Sequence, residues 1–158
     1  MRYAIFTLLL AALCSAVLAQ TPAPATSDDI SGMYTFLQEG EFVQINIEDG
    51  SKVTGFISRY GSLDSDKGAF LDQMFSEGEL KGKQVRFKTR PVHGITYEFS
   101  GIAELGQGKK PGEEGYRVLN GKLTQVTEDE NKKVTAKSRE VTLKSFPSEA
   151  TADQPIRH

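Results

Sequence analysis

Tryptophan is absent from this chain of 158 residues and cysteine occurs once, at Cys14. Histidine occurs twice, at His93 and His158. One cysteine cannot staple a chain to itself, so a disulfide framework is excluded. A zinc centre needs three or four suitable ligands, and two histidines far apart in sequence do not suggest one. No nucleophilic cysteine follows Cys14, and a Ser-His-Asp set would have to be built around His93, inside the turn Pro91-Val-His-Gly94. No catalytic residue, cofactor-binding residue or metal ligand is therefore assigned. Charge of one sign is also missing: 19 basic residues face 21 acidic ones, with no block of five like charges. That balance gives no drive toward nucleic acid or an anionic membrane.

The one long apolar run comes at the start. Met1-Arg2-Tyr3 is short and basic, Ala4 to Val17 is almost wholly apolar, and Leu18-Ala19-Gln20 offers a small residue for cleavage. This is the pattern of a secretory signal peptide, and the run is shorter than the roughly 20 residues that span a bilayer. Lipid attachment at Cys14 would call for a small residue before it, and Leu13 is not small. The expected organisation is a signal at 1–19, a disordered Pro/Ala/Thr leader at 20–29, a folded domain at 30–146 and a disordered polar tail at 147–158. The expected location is exported, periplasmic or extracellular, with no membrane span in the mature chain. Cleavage removes Arg2, so 18 basic residues (19 less one) face 21 acidic ones, a net charge of −3.

Between the ends, apolar residues recur with period 2. Val43, Ile45 and Ile47 alternate with Gln44, Asn46 and Glu48; Asp49-Gly50 follows, then Lys52 to Tyr60. Such a dipeptide between alternating runs signals a hairpin. Val85, Phe87 and Thr89 share one face, as do Ile95, Tyr97, Phe99, Gly101, Ala103 and Leu105. Further strands are expected at Tyr116–Val126 and Val134–Phe146, with a short first one at Met33–Leu37. Gly55, Gly101 and Gly121 each interrupt a strand between apolar neighbours, as suits sharp bending at barrel corners. Charges at Arg86, Lys88, Glu98, Glu104 and Lys137 on the outward phase argue against a lipid-facing wall.

Two segments depart from the alternation. In Asp66–Phe75 the residues Phe70, Leu71, Met74 and Phe75 stand at i, i+1, i+4 and i+5, which predicts a short helix capped by Ser65 or Asp66. Phe70, Met74 and Phe75 would then plug one barrel end. In the last strand, Lys137-Ser-Arg-Glu140 interrupts the apolar residues, which predicts a bulge or inward polar groups. Ser138 and Glu140 continue the phase of Val134 and Ala136, and an inward carboxylate at Glu140 would need a partner such as Arg59. The candidate ligand cavity is thus Arg59, Tyr97, Phe99, Ser138 and Glu140. Asp64-Ser-Asp66-Lys-Gly68 opens like a calcium loop but places Ala69 and Phe75 where glycine and glutamate belong. Glu113-Glu114 and Lys109-Lys110 read as solvated loop pairs.

Gly40-Glu-Phe-Val-Gln-Ile-Asn-Ile-Glu-Asp-Gly-Ser-Lys-Val-Thr-Gly-Phe56 reads as the opening hairpin of a meander barrel, and Tyr97-Glu-Phe-Ser-Gly101 as a later strand. With the signal, this order resembles a family of small exported bacterial β-proteins and, more distantly, avidin-like and lipocalin-like barrels, over about residues 33–146. An avidin-like biotin site relies on tryptophans and a lipocalin carries one in its first strand, so neither set of ligand residues transfers to a chain without any.

The expected fold is an all-β antiparallel meander barrel of about seven or eight strands with one short helix, or else a two-sheet sandwich. The leading function is a non-enzymatic exported module binding a small apolar or amphipathic molecule. The alternatives are a cell-envelope interaction or inhibitor protein acting through its loops, and an enzyme of unidentified type. The expected partner is a small molecule or an envelope protein, with no nucleic acid and no cofactor.

Overall fold

The computed structural model describes residues 29–148. The expected signal, nearly all of the leader and most of the tail lie outside the described residues. Eight strands follow in order: β1 Gly32–Thr35, β2 Phe42–Glu48, β3 Lys52–Tyr60, β4 Phe70–Lys81, β5 Gln84–Thr89, β6 Ile95–Leu105, β7 Arg117–Glu128 and β8 Val134–Lys144. They form one sheet in the order of the chain, each pair antiparallel. A single curled sheet is the meander barrel, and the two-sheet sandwich is set aside.

Short turns explain the meander. Asp49 and Gly50 both have positive φ, 50° and 73°, the geometry that matches the strand twist in a tight hairpin. Alternation does the rest: Val43 and Ile45, then Val85, Phe87 and Thr89, then Ile95, Tyr97, Phe99 and Ala103 are all buried. Leu105, expected inward, sits at the end of β6 and is exposed. Three rings stack down the interior. Phe75 and Phe87 have centroids 4.4 Å apart, and Phe87 and Phe99 5.1 Å apart.

The barrel closes over only part of its height. Tyr34 bridges Ser145, Phe146 N donates to Met33 O at 2.8 Å, and Lys144 N donates to Thr35 Oγ1 at 3.0 Å. There β1 ends after four residues, whereas β8 has eleven. Among the described residues, no strand lies against the free side of β8 from Val134 to Glu140. The wall is open along that flank, and all seven of these residues are exposed.

No helix occurs among the described residues, and the expected one over Asp66–Phe75 is a turn followed by β4. Leu71, Gln73 and Phe75 point inward, while Phe70, Asp72 and Met74 point out. Phe70 and Met74 are 50% and 53% exposed, so they plug nothing; Phe75 is in the ring stack. A helix of one or two turns is marginal alone, whereas this segment, as a strand, gains hydrogen-bonded neighbours on both sides in β3 and β5. Asp66 caps a turn instead, its Oδ1 accepting from Leu63 N at 2.7 Å.

The bulge expected in the last strand is also absent. The β7–β8 register runs unbroken from Val118 opposite Lys144 to Glu128 opposite Val134. Counting back from buried Leu143 in steps of two puts Val141, Arg139 and Lys137 on the inner face, and Val134 outside, 59% exposed. The polarity changes and the geometry does not. Beyond the reach of β1 the inner face of β8 meets water, so it tolerates cations.

Candidate functional site

Buried polar side chains gather at one end of the barrel, where β3, β5 and β7 finish. They are Glu41, Ser58, Arg59, Gln73 and Thr89. Gln73 is the hub. Its Oε1 accepts from Arg59 Nε at 2.5 Å, and its Nε2 donates to Ile95 O at 2.9 Å and Arg90 O at 3.2 Å. A longer contact of 3.4 Å reaches Thr89 Oγ1, which accepts from Tyr97 N at 2.9 Å. One side chain thereby ties β3, β4, β5 and β6 together, as a buried amide must when it leaves water.

Arg59 is 3% exposed. Besides Gln73 it donates through Nη1 to Tyr60 O at 3.0 Å, and its Cζ lies 5.8 Å from the centroid of the Tyr97 ring. Its Nη2 is buried and has no hydrogen-bond partner among the described residues. Glu41 does not neutralise it within ion-pair distance. Its Oε1 accepts from Tyr60 N at 3.0 Å and its Oε2 from Gln38 N at 3.1 Å, fixing the β1–β2 turn to the end of β3.

Phe36 descends from that turn and meets Tyr97 edge to face, centroids 5.3 Å apart. Burial raises the Tyr97 phenol above its ordinary pKa; Arg59 and Arg139 pull it down and Glu41 pushes it up. Arg139 stands on the inner phase of β8, opposite buried Leu123. Lys137 follows on that phase, opposite Gln125, which is itself opposite Tyr97.

The sequence-derived candidates divide between the faces. Arg59, Tyr97 and Phe99 are all buried inside, Arg59 against the Tyr97 ring and Phe99 in the ring stack. Ser138 and Glu140 lie on the outer face, where Ser138 Oγ is 2.8 Å from Thr124 Oγ1. The expected pairing of Arg59 with Glu140 does not form because the sheet stands between them. Gln73, Thr89, Glu41, Phe36 and Arg139 complete the inner site. Of these, Thr89 carried the inward phase of Val85 and Phe87, and Arg139 stands two steps of two back from Leu143.

His93 stands in a positive-φ turn, as its Pro-Val-His-Gly setting suggests. Its Nδ1 lies 2.6 Å from Asp66 Oδ2, joining the β5–β6 turn to the β3–β4 loop at this same end. Outside the barrel, a wide groove over β4–β7 is lined by charged residues, among them Lys88 with Glu98 at 3.0 Å. Among the described residues no three His, Cys, Asp or Glu side chains could hold a metal ion, and no helix is long and apolar enough to cross a membrane.

No family model matches this chain, and no curated protein does. Solved structures do. The rhizavidin–biotin complex aligns with a TM-score of 0.53 at 12% identity, over 73% of this chain and 99% of that one. Rhizavidin aligns at 0.55 and 11% identity, over 80% and 88%. Intact afifavidin in its apo form aligns at 0.54 and 12% identity, over 81% and 88%. The fold is that of the avidin-like barrels. At these identities the likeness is one of fold.

Proposed function

We propose that this chain is a non-enzymatic, exported barrel that binds a small molecule in its interior at the Arg59–Tyr97 end. The observation that carries the reading is the buried Nη2 of Arg59, a strong donor without an acceptor among the described residues. Leaving such a group unsatisfied is costly, and a bound acceptor would offset that cost. The aromatic rings of Phe36 and Tyr97 lie beside buried Arg59, an apolar setting with a few placed polar groups as in small-molecule sites. The open flank beside β8 supplies an entry path.

The avidin-like neighbours support the same class, since rhizavidin has been solved in complex with biotin. The lack of tryptophan here speaks for a different ligand. The alternative of an envelope-protein partner draws no support from these structures.

Native mass spectrometry of the folded protein from its own host tests the proposal, together with a fluorescence titration using the neutral apolar dye N-phenyl-1-naphthylamine. A retained small-molecule mass and saturable one-to-one dye binding are expected. A bare chain mass with no saturable dye signal would overturn it.

A further inference from the structure

The inner face is more cationic than an apolar ligand needs. Arg59 is buried with Nη2 unmatched. Arg139 and Lys137 lie on the same inner face, across the open flank, and neither makes an ion pair or side-chain hydrogen bond among the described residues. The acid acting with the two arginines on Tyr97 is Glu41, and both of its oxygens are taken by backbone N–H groups. Arg59 lies against the Tyr97 ring, and Arg139 and Lys137 share the inner face with it, against one carboxylate that is already engaged.

The outer wall shows the contrast. There Lys52, Lys81 and Lys88 each have a carboxylate within 3.0 Å. Arg86 and Lys122 on the outer wall also lack a carboxylate partner, but they face water, whereas Arg59 is buried against an aromatic ring. A guanidinium donates best to an oxyanion, through short charge-assisted hydrogen bonds.

We propose that the ligand is a small amphipathic organic anion whose carboxylate, sulfonate or phosphate oxygen is received by Arg59 Nη2 and Arg139, with its apolar body against Tyr97 and Phe36. This rests on the binding reading above and specifies the ligand class. Lys137 stands at the rim of the flank and draws the anion in. Entry is lateral, between β8 and the β1–β2 turn, so the anionic group reaches Arg139 before Arg59.

Two dyes with one body separate the two claims. 8-Anilinonaphthalene-1-sulfonate carries a sulfonate; N-phenyl-1-naphthylamine is the same ring system without it. Titrated against the folded protein, the sulfonate dye should bind about tenfold more tightly, the ratio expected of one added charge-assisted contact. Rising salt should narrow the gap. Arg139→Gln, a change at an exposed position, should bring the affinity ratio close to one. Lys122→Gln, on the outer face, should leave the ratio as in wild type. Arg59→Lys keeps the charge but withdraws Nη2, and should lower the ratio too; if circular dichroism finds it unfolded, Arg139→Gln decides. A wild-type ratio near one, a ratio untouched by Arg139→Gln, or an equal fall in Lys122→Gln would overturn the anion site and leave the binding reading standing. Failure of both dyes to bind would overturn the anion site, and a bare chain mass beside it would overturn the binding reading too.

Discussion

Gly101 faces Gly121 across the β6–β7 ladder, between Val85 on β5 and Val141 on β8. A Cβ on Gly101 would stand 2.5 Å from Phe99 Cζ and 2.9 Å from the Gly121 Cα, and would press on the Asn120 carbonyl. The two strands approach here because neither residue has a side chain, and the Phe99 ring fills the space over them. Gly101→Val should therefore destabilise strongly, by at least the roughly 1–3 kcal/mol of an overpacked core. A thermal melt unchanged from wild type would refute the close approach.

Gln73 holds more of the buried network than any neighbour. Gln73→Leu keeps the volume but strands Arg59 Nε and the Arg90 carbonyl, and leaves the Ile95 carbonyl with Val92 N alone. We expect a loss on the order of 2–5 kcal/mol, since each unmatched buried group costs about 1–3. Chemical denaturation measures it. Values under about 1 kcal/mol would mean that water reaches these groups.

The plug role passes from β4 to the β1–β2 turn. Phe36 is 9% exposed against the Tyr97 ring, whereas Phe70 is half exposed on the outer wall. Phe36→Ala should cost roughly 3–5 kcal/mol, and Phe70→Ala no more than about 1. Denaturation midpoints of the two variants rank them; the reverse order would restore the β4 residues as the plug.

Alkaline pH should expose the burial of Tyr34. Burial, against the pull of Arg117, raises its phenol from 10.0 to about 12, and its hydroxyl donates to Ile30 O at 2.8 Å. The folded chain then keeps a proton that the unfolded chain releases. This stabilisation is complete below pH 10 and is lost as pH rises toward 12, by roughly 3 kcal/mol in all. Tyr97 is shifted the same way and adds to the slope. Denaturation between pH 9 and 12 should show a smaller loss for Tyr34→Phe than for wild type; equal slopes would count against the assignment.

Export should remove residues 1–19. Intact mass of the exported protein should match a chain beginning at Gln20, and a product retaining Cys14 with added lipid mass would refute it.

Local chemistry makes most of the strands legible in the order of residues alone. Period-2 runs such as Val43–Ile47 and Ile95–Ala103, and the turn at Asp49-Gly50, can be satisfied in only one local way. By itself the sequence determined an all-β meander and the inward places of Tyr97 and Phe99. Tertiary structure decided the rest. The segment from Phe70 to Phe75 fits a helical face as well as a strand, and only the neighbours β3 and β5 choose. The inward Gln73 hid the alternation there, because a polar residue can take a core position only when partners from three other strands meet it. Arg139 and Glu140 exchanged faces for a related reason. Polarity alone cannot tell an outward residue from an inward one beside an open flank, and that flank exists because β1 stops at Thr35 while β8 begins at Val134.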